Sequence, residues 1–233
     1  MIIRTDGPSL VLITQPDHAR LARRMMSHFV ARDFAHADRR DAILHAVEEH
    51  DNGWREVDAA PIVGEDGRLL DFVSAPLDVR QSIWAGAARR LAADPIAAAL
   101  VAQHAIYIYR RFRDDRAWRT FFSDMERIRG EFAAGAGLTP AEIARDYFFL
   151  RIADLMSLVF CTGWTDPQVM DDHVVRLNGE RLIVRPDPFA GATVRLEIPG
   201  RRMPSRPFKS ADEAASAFRT APRITLTGCA VGG

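Results

Sequence analysis

Between Pro16 and Cys161 the apolar residues recur mostly at three- and four-residue spacing, and after Pro167 they alternate at two. The first pattern predicts a run of helices and the second a set of strands. Ahead of both, Met1–Arg4 and Ser9–Thr14 are short β-like runs separated by the turn composition Thr5-Asp6-Gly7-Pro8, which predicts a hairpin.

Six helices follow from the longer spacing. Pro16-Asp17 opens the first, with His18, Leu21, Ala22, Met25 and Phe29 on one stripe. The second runs from Arg39 to Asp51 with Asp38 as its N-cap; Ile43, Val47, His50 and Asp51 form its stripe and Gly53 stops it. Arg55–Ala75 carries Pro61, Gly64 and Gly67 and no helical period. It reads as a loop placed to cover the end of the second helix. The third helix spans Pro76–Ala93. Asp94-Pro95 starts a fourth, which carries Ala97, Leu100, Val101, His104 and Ile108 on one face. Asp114 or Asp115 caps a fifth through Ile128, ended by Gly135 and Gly137. Thr139-Pro140-Ala141-Glu142 is a capping box that opens the sixth, with Ile143, Tyr147, Leu150, Asp154, Leu158 and Cys161 inward and Gly163 at its close.

The C-terminal part reads as strands. His173–Leu177, Asn178-Gly179 and Glu180–Val184 predict a hairpin. Thr193–Ile198 and Ile224–Val231 are further strands, Ala211–Phe218 a short helix, and the region of Pro204 and Pro207 a loop. The expected fold is mainly α within an α+β class: a bundle of about six helices with a small antiparallel β unit formed by the N-terminal hairpin and the C-terminal strands. The chain is expected to be one domain over 1–233, with a helical core at 15–163 and the β unit at 1–14 and 168–233.

Four inward polar residues change this picture. His18, His50, Asp51 and Asp154 lie on the apolar stripes of three different helices, where polar groups are costly unless they satisfy one another. One cation bound between them does that. Mixed imidazole and carboxylate donors suit a divalent transition metal such as Mn, Fe, Zn or Co. Water at such an ion is acidified enough to attack an electrophile near neutral pH. His104 is a fifth inward polar residue and the candidate for a second ion, one ion being the expected number. His28, His36, His45 and His173 lack this placement, and Cys161 reads as core.

Composition excludes several classes. With no formal net charge, nothing draws the chain to nucleic acid or to an anionic membrane, and no run reaches the ~18 apolar residues of a membrane span. Two cysteines are too few for a disulfide framework or a zinc ribbon. Met1–Gln15 lacks the marks of a secretory signal, so a cytoplasmic protein acting on a small molecule is expected. All basic residues but Lys209 are arginine, so a phosphate clamp falls to Arg; Arg110 and Arg111 are the candidates.

The order His18, His50-Asp51, Asp154 on successive helices resembles the HD-domain superfamily. More narrowly, Ile13-Thr14-Gln15-Pro16-Asp17-His18, His50-Asp51-Asn52-Gly53-Trp54 and Asp154-Leu155-Met156-Ser157-Leu158 resemble DUF3891, a family of uncharacterised bacterial proteins. The superfamily resemblance implies an HD-like helical bundle with these four residues as metal ligands and Asp51 as the catalytic one. It also implies hydrolysis of a small phosphorylated substrate. Two alternatives share the scaffold: a di-iron oxygenase, which needs His104 at a second metal, and a non-catalytic ligand- or partner-binding protein. Many HD enzymes follow the His-Asp pair with Gly and then Lys. Here Asn52-Gly53 is followed by Trp54, which again leaves phosphate recognition to arginine.

Overall fold

Strong local signals set most helix ends. The computed structural model describes residues 1–233. Its elements are β1 (Ile2–Asp6), β2 (Ser9–Ile13), α1 (Gln15–Ser27), α2 (Arg40–Glu49), β3 (Ile62–Val63), β4 (Leu69–Leu70), α3 (Leu77–Arg89), α4 (Pro95–Ile108), α5 (Arg119–Gly135), α6 (Pro140–Thr162), β5 (Gln168–Met170), β6 (His173–Asn178), β7 (Arg181–Arg185), β8 (Val194–Pro204), α7 (Ala211–Thr220) and β9 (Arg223–Gly232). The capping box at Thr139 and Glu142 opens α6, and Gly163 closes it at φ 76°, a left-handed conformation that suits glycine. Asp94 Oδ1 accepts from Ala97 N at 3.1 Å to start α4. Asp115 caps a 3-10 turn, Arg116–Trp118, that feeds α5.

Pro16-Asp17 lies in the first turn of α1, as expected, and Thr14 caps that turn by accepting from Asp17 N. Asp38 does not cap α2, whose first turn has no side-chain cap. Arg39 instead ties that end to α6, with Nε 2.6 Å from Asp146 Oδ2 and Nη1 3.3 Å from Glu142 Oε1. The predicted loop at 55–75 holds a 3-10 turn, Val57–Ala59, and the two-residue strands β3 and β4.

The fold class expected from sequence is corrected here. The protein is not a mainly helical, HD-like bundle with a small antiparallel β unit. It is an α+β fold with 51% helix and 21% strand, built around a large curled sheet. Seven strands run in the order β1-β2-β8-β9-β7-β6-β5. All neighbours are antiparallel except β7 and β9, which pair in parallel from Arg181↔Cys229 to Val184↔Gly232.

The reasons for the difference are local. Thr193–Ile198 shows strand alternation, and Pro199-Gly200 then reads as a breaker, yet β8 continues to Pro204. Pro199 is accommodated because β2 pairs with β8 only from Arg201 to Pro204, so at Pro199 only β9 lies alongside. Proline is confined to such one-sided positions because it donates nothing to a ladder. At Gly200 a Cβ would stand 3.0 Å from Val11 Cγ1, so the absent side chain lets β2 approach. The β6–β7 turn is also shifted by one residue: Asn178 faces Arg181 in register, and Gly179-Glu180 form the loop.

The sheet shares its core with the helices. Met156, Val159 and Phe160 of α6 belong to the same buried cluster as Val175, Leu182, Val184, Leu196 and Ile198. A second, aromatic cluster of Trp54, Trp84, Tyr109, Trp118, Phe121 and Phe122 fills the space around α3, α4 and α5. No helix is long and apolar enough to cross a membrane.

Candidate metal centre

Three elements bring four of the predicted residues together. His18 sits one turn into α1 and is fully buried. His50 and Asp51 follow the last residue of α2, and both are buried. Asp154 lies in the middle of α6, its side chain 16% exposed. The turn carrying the His-Asp pair is fixed by what comes next. Asn52 Nδ2 donates to Ala87 O at 3.2 Å, and Arg90 Nη1 donates to Asn52 O at 2.8 Å, which docks residues 52–54 on α3. Gly53 is required at that contact, because a Cβ there would stand 2.5 Å from Ile83 O.

The two imidazoles have the spacing of ligands around one ion with either carboxylate, and the candidate groups are His18-His50-Asp51 and His50-His104-Asp154. His18 Nε2 lies 3.1 Å from His50 Nε2, 3.1 Å from Asp154 Oδ1 and 3.6 Å from Asp51 Oδ2. His50 Nε2 lies 3.4 Å from Asp51 Oδ2 and 3.5 Å from Asp154 Oδ1. Metal–ligand bonds of about 2.1 Å place neighbouring donors about 3.0–3.4 Å apart in octahedral or tetrahedral geometry. The buried His/Asp groups can therefore hold a metal ion.

Tautomers sharpen the case. The Val47 carbonyl only accepts, so His50 Nδ1, 2.7 Å away, carries the proton. Ser157 Oγ donates to Asp154 O at 3.1 Å, so it accepts from His18 Nδ1 at 2.7 Å. In the neutral rings both Nε2 atoms then bear lone pairs, and these face each other at 3.1 Å. Such a pair is repulsive unless a cation lies between them or one nitrogen takes a proton. Side-chain and carbonyl partners on the far nitrogen are what orient histidine ligands toward a metal.

His104 stands at the edge of this group. Its Nε2 is 4.0 Å from Asp154 Oδ2, and its Nδ1 is 3.1 Å from Tyr147 Oη. Burial, only partly offset by the Asp154 charge, pushes its pKa down to about 3, so the ring is neutral. Arg110 and Arg111 do not join the cluster. They lie in an exposed 3-10 turn, stacked over Tyr107 and Phe112 respectively. His45 pairs with Asp94, and His173 with Asp172.

A cavity of about 70 Å³ borders the cluster, lined among others by Gln15, Asp51, Trp84, Tyr109 and Asp154. Gln15 Oε1 and Trp84 Nε1 are buried with no hydrogen-bond partner. Sequence reading missed Gln15, Tyr147, Ser157 and Trp84 as parts of the site. Gln15 and Ser157 had a signal, since each lies three residues from a ligand on its own helix and so shares its face. Trp84 had none, because its approach depends on how α3 docks.

Without an ion the cluster holds a proton. Burial alone would lower the His50 pKa, but the charge of Asp51 and the hydrogen bond and charge of Asp154 outweigh it and raise it from 6.5 to about 9. Burial likewise pushes Asp154 up, but the hydrogen bonds from His18 and His50 hold it well below the usual carboxylate range. A raised histidine pKa contributes stability in full below the unfolded value of 6.5, and that contribution is lost as pH rises through about 9. Chelator-treated protein is thus expected to lose roughly 3 kcal/mol between those values, read from denaturant unfolding at pH 6, 8 and 9.5. Stability that is flat or rising across that window would show that no such proton is held.

Fold and site together define an α+β protein whose helices share a core with a seven-stranded mixed sheet and enclose a His/Asp cluster able to hold a metal ion. The chain belongs to the DUF3891 family, described as "Protein of unknown function", which residues 1–205 match. No curated protein and no solved structure matches the chain.

Proposed function

We propose that the protein is a metal-dependent hydrolase acting on a small phosphorylated molecule, with one divalent ion held by His18, His50, Asp51 and Asp154. The observation that carries this reading is the pair of histidine Nε2 atoms, 3.1 Å apart with both Nδ1 protons committed elsewhere and two carboxylates alongside. The order of the four residues along the chain, similar to that of HD-domain hydrolases, adds to it. A bound Mn, Fe, Zn or Co ion supplies Lewis acidity and brings the pKa of water toward neutrality. In the cavity beside it, Asp51 is placed to accept a proton from a water, and Gln15 Oε1 and Trp84 Nε1 offer that water an acceptor and a donor. The aromatic cluster that includes Trp54 and Trp84 keeps bulk solvent away and strengthens each of these contacts.

Untagged protein is expected to carry one divalent ion per chain by elemental analysis and to hydrolyse phenyl phosphate when reloaded with Mn. Asp51→Asn is expected to lower that rate at least about 100-fold. A fully loaded protein that hydrolyses no phosphate ester would overturn the catalytic reading and leave a ligand-binding role. A di-iron oxygenase is the second reading, favoured by one observation: His104 Nε2 stands 4.0 Å from the second oxygen of Asp154. Two irons per chain would support it over the hydrolase.

A further inference from the structure

A second cavity, of about 190 Å³, opens on the same site from the side of α4 and α6. His104 and Asp154 are part of its lining, so it borders the candidate metal centre. The face of α6 that borders it carries Tyr147, Arg151, Asp154, Leu155 and Leu158, a helical stripe on the cavity side. Val169 and Met170 of β5 complete a largely apolar wall.

Arg151 is the one arginine or lysine in that lining. Its guanidinium is held by stacking on the Tyr107 ring, 4.4 Å from the centroid. Its Nε is buried and has no hydrogen-bond partner. Its one ion-pair partner, Asp171, is half-exposed and 3.4 Å away, a contact that solvent screens and a competing anion can displace. Arg151 and Asp154 are three residues apart on one helix, so their side chains start about 5–6 Å apart. Both residues line the cavity, so one ligand in it can contact Arg151 and lie beside Asp154.

Size limits the rest of the ligand. Drug-sized ligands occupy pockets of about 300–1,000 Å³, and this cavity is smaller. One ring or a short alkyl chain fits beside the oxyanion, whereas a nucleoside does not. The walls offer such a body apolar and aromatic surface and few further polar groups.

We infer that this cavity is the substrate site, and that its ligand is a small oxyanion on a compact apolar body, with Arg151 as the anchor for the anion. The inference rests on the metal-dependent reading above and narrows its substrate class. It replaces Arg110 and Arg111 with Arg151 as the anion contact. Phosphate and carboxylate share the required chemistry, so both are tested.

The experiment is calorimetric titration of Mn-loaded full-length protein with phenylphosphonate, phenylacetate and adenosine monophosphate. Phenylphosphonate or phenylacetate is expected to bind, and whichever binds more tightly identifies the head group; adenosine monophosphate is expected not to bind. Arg151→Met is expected to weaken binding at least about 10-fold, the scale of a charge-assisted hydrogen bond, with metal content unchanged. Leu155→Trp, which fills the cavity and keeps the arginine, is expected to abolish it, and this variant decides if Arg151→Met does not fold. Loaded protein that binds neither aromatic anion, binds them equally well in both variants, or prefers the nucleotide would overturn the inference. Binding of phenylphosphonate without hydrolysis of phenyl phosphate would count against the hydrolase and leave the substrate site standing.

Discussion

Removing the ion from purified protein is expected to lower its melting temperature by about 8–16 °C. An ion present at 1,000 times its dissociation constant stabilises by about 4 kcal/mol, and 1 kcal/mol moves the midpoint of a chain this size by about 2–4 °C. The effect is large because the two buried imidazoles face each other and both carboxylates at 3.1–3.6 Å, so that without a cation they keep a histidine proton and an unrelieved carboxylate. Asp154→Ala is expected to erase the difference between loaded and stripped protein. Oδ1 of Asp154 contacts both histidines and Oδ2 faces His104, so its loss removes one of the two carboxylates that hold the His50 imidazolium in the stripped protein. Breaking one side of such a buried pair costs about 3–5 kcal/mol. Differential scanning fluorimetry of wild type and variant, with chelator and with added Mn or Zn, reads both effects. Equal melting temperatures with and without ion in the wild type would mean that no metal is held here.

Gly53→Ala is the second large effect expected. The added Cβ would press on the Ile83 carbonyl at 2.5 Å, and that oxygen belongs to the backbone of α3 and cannot swing aside. The turn must lift off α3, which strains or breaks the bonds from Asn52 to Ala87 and from Arg90 to Asn52. Overpacking and two weakened hydrogen bonds together cost about 2–4 kcal/mol. The same turn carries His50 and Asp51, so metal affinity should fall at least about 10-fold as well. Gly86→Ala on α3 is the control: nothing lies within 4 Å of its Cβ, and replacing a helical glycine by alanine gains up to about 1 kcal/mol. Urea unfolding and metal titration of the two variants measure the contrast. A Gly53→Ala protein as stable as the Gly86→Ala protein would show that the close approach to α3 is not real.

The inward residues of the site were legible because helical spacing is a local property. His18, Asp154 and His104 stand on apolar stripes, and a polar residue there announces that it has a partner without naming one. The His50-Asp51 pair was legible from its place at a helix end next to Asn52-Gly53. What could not be read was the outer layer. Ser157 shares a helix face with Asp154, but that it accepts from Nδ1 of His18, 139 positions away in the chain, is a tertiary fact. Trp84 reaches the site only through the docking of α3. Arg151 lies three residues before Asp154 on α6, yet its guanidinium turns to Tyr107 and Asp171. The two arginines chosen from sequence, Arg110 and Arg111, lie at a helix end that the fold leaves in solvent.

The sheet shows the same limit more plainly. Most of its strands were visible as alternating runs, but their sum was underestimated. Alternation says which face of a strand is buried and nothing about which strand lies beside it. The order β2-β8-β9-β7 and the parallel pairing of β7 with β9 depend on contacts between segments far apart in the chain.

The amino-acid sequence by itself determined most helix ends, through caps, glycines and spacing, and which polar side chains must turn inward. Those are outcomes of interactions within a few residues. The tertiary structure alone decided that the inward imidazoles and carboxylates meet at coordination distance, that a seven-stranded sheet completes their core, and that Arg151 stacks on Tyr107 at the wall of a cavity beside them. Each of those depends on backbone segments settling against one another, and no short stretch of chain contains that information.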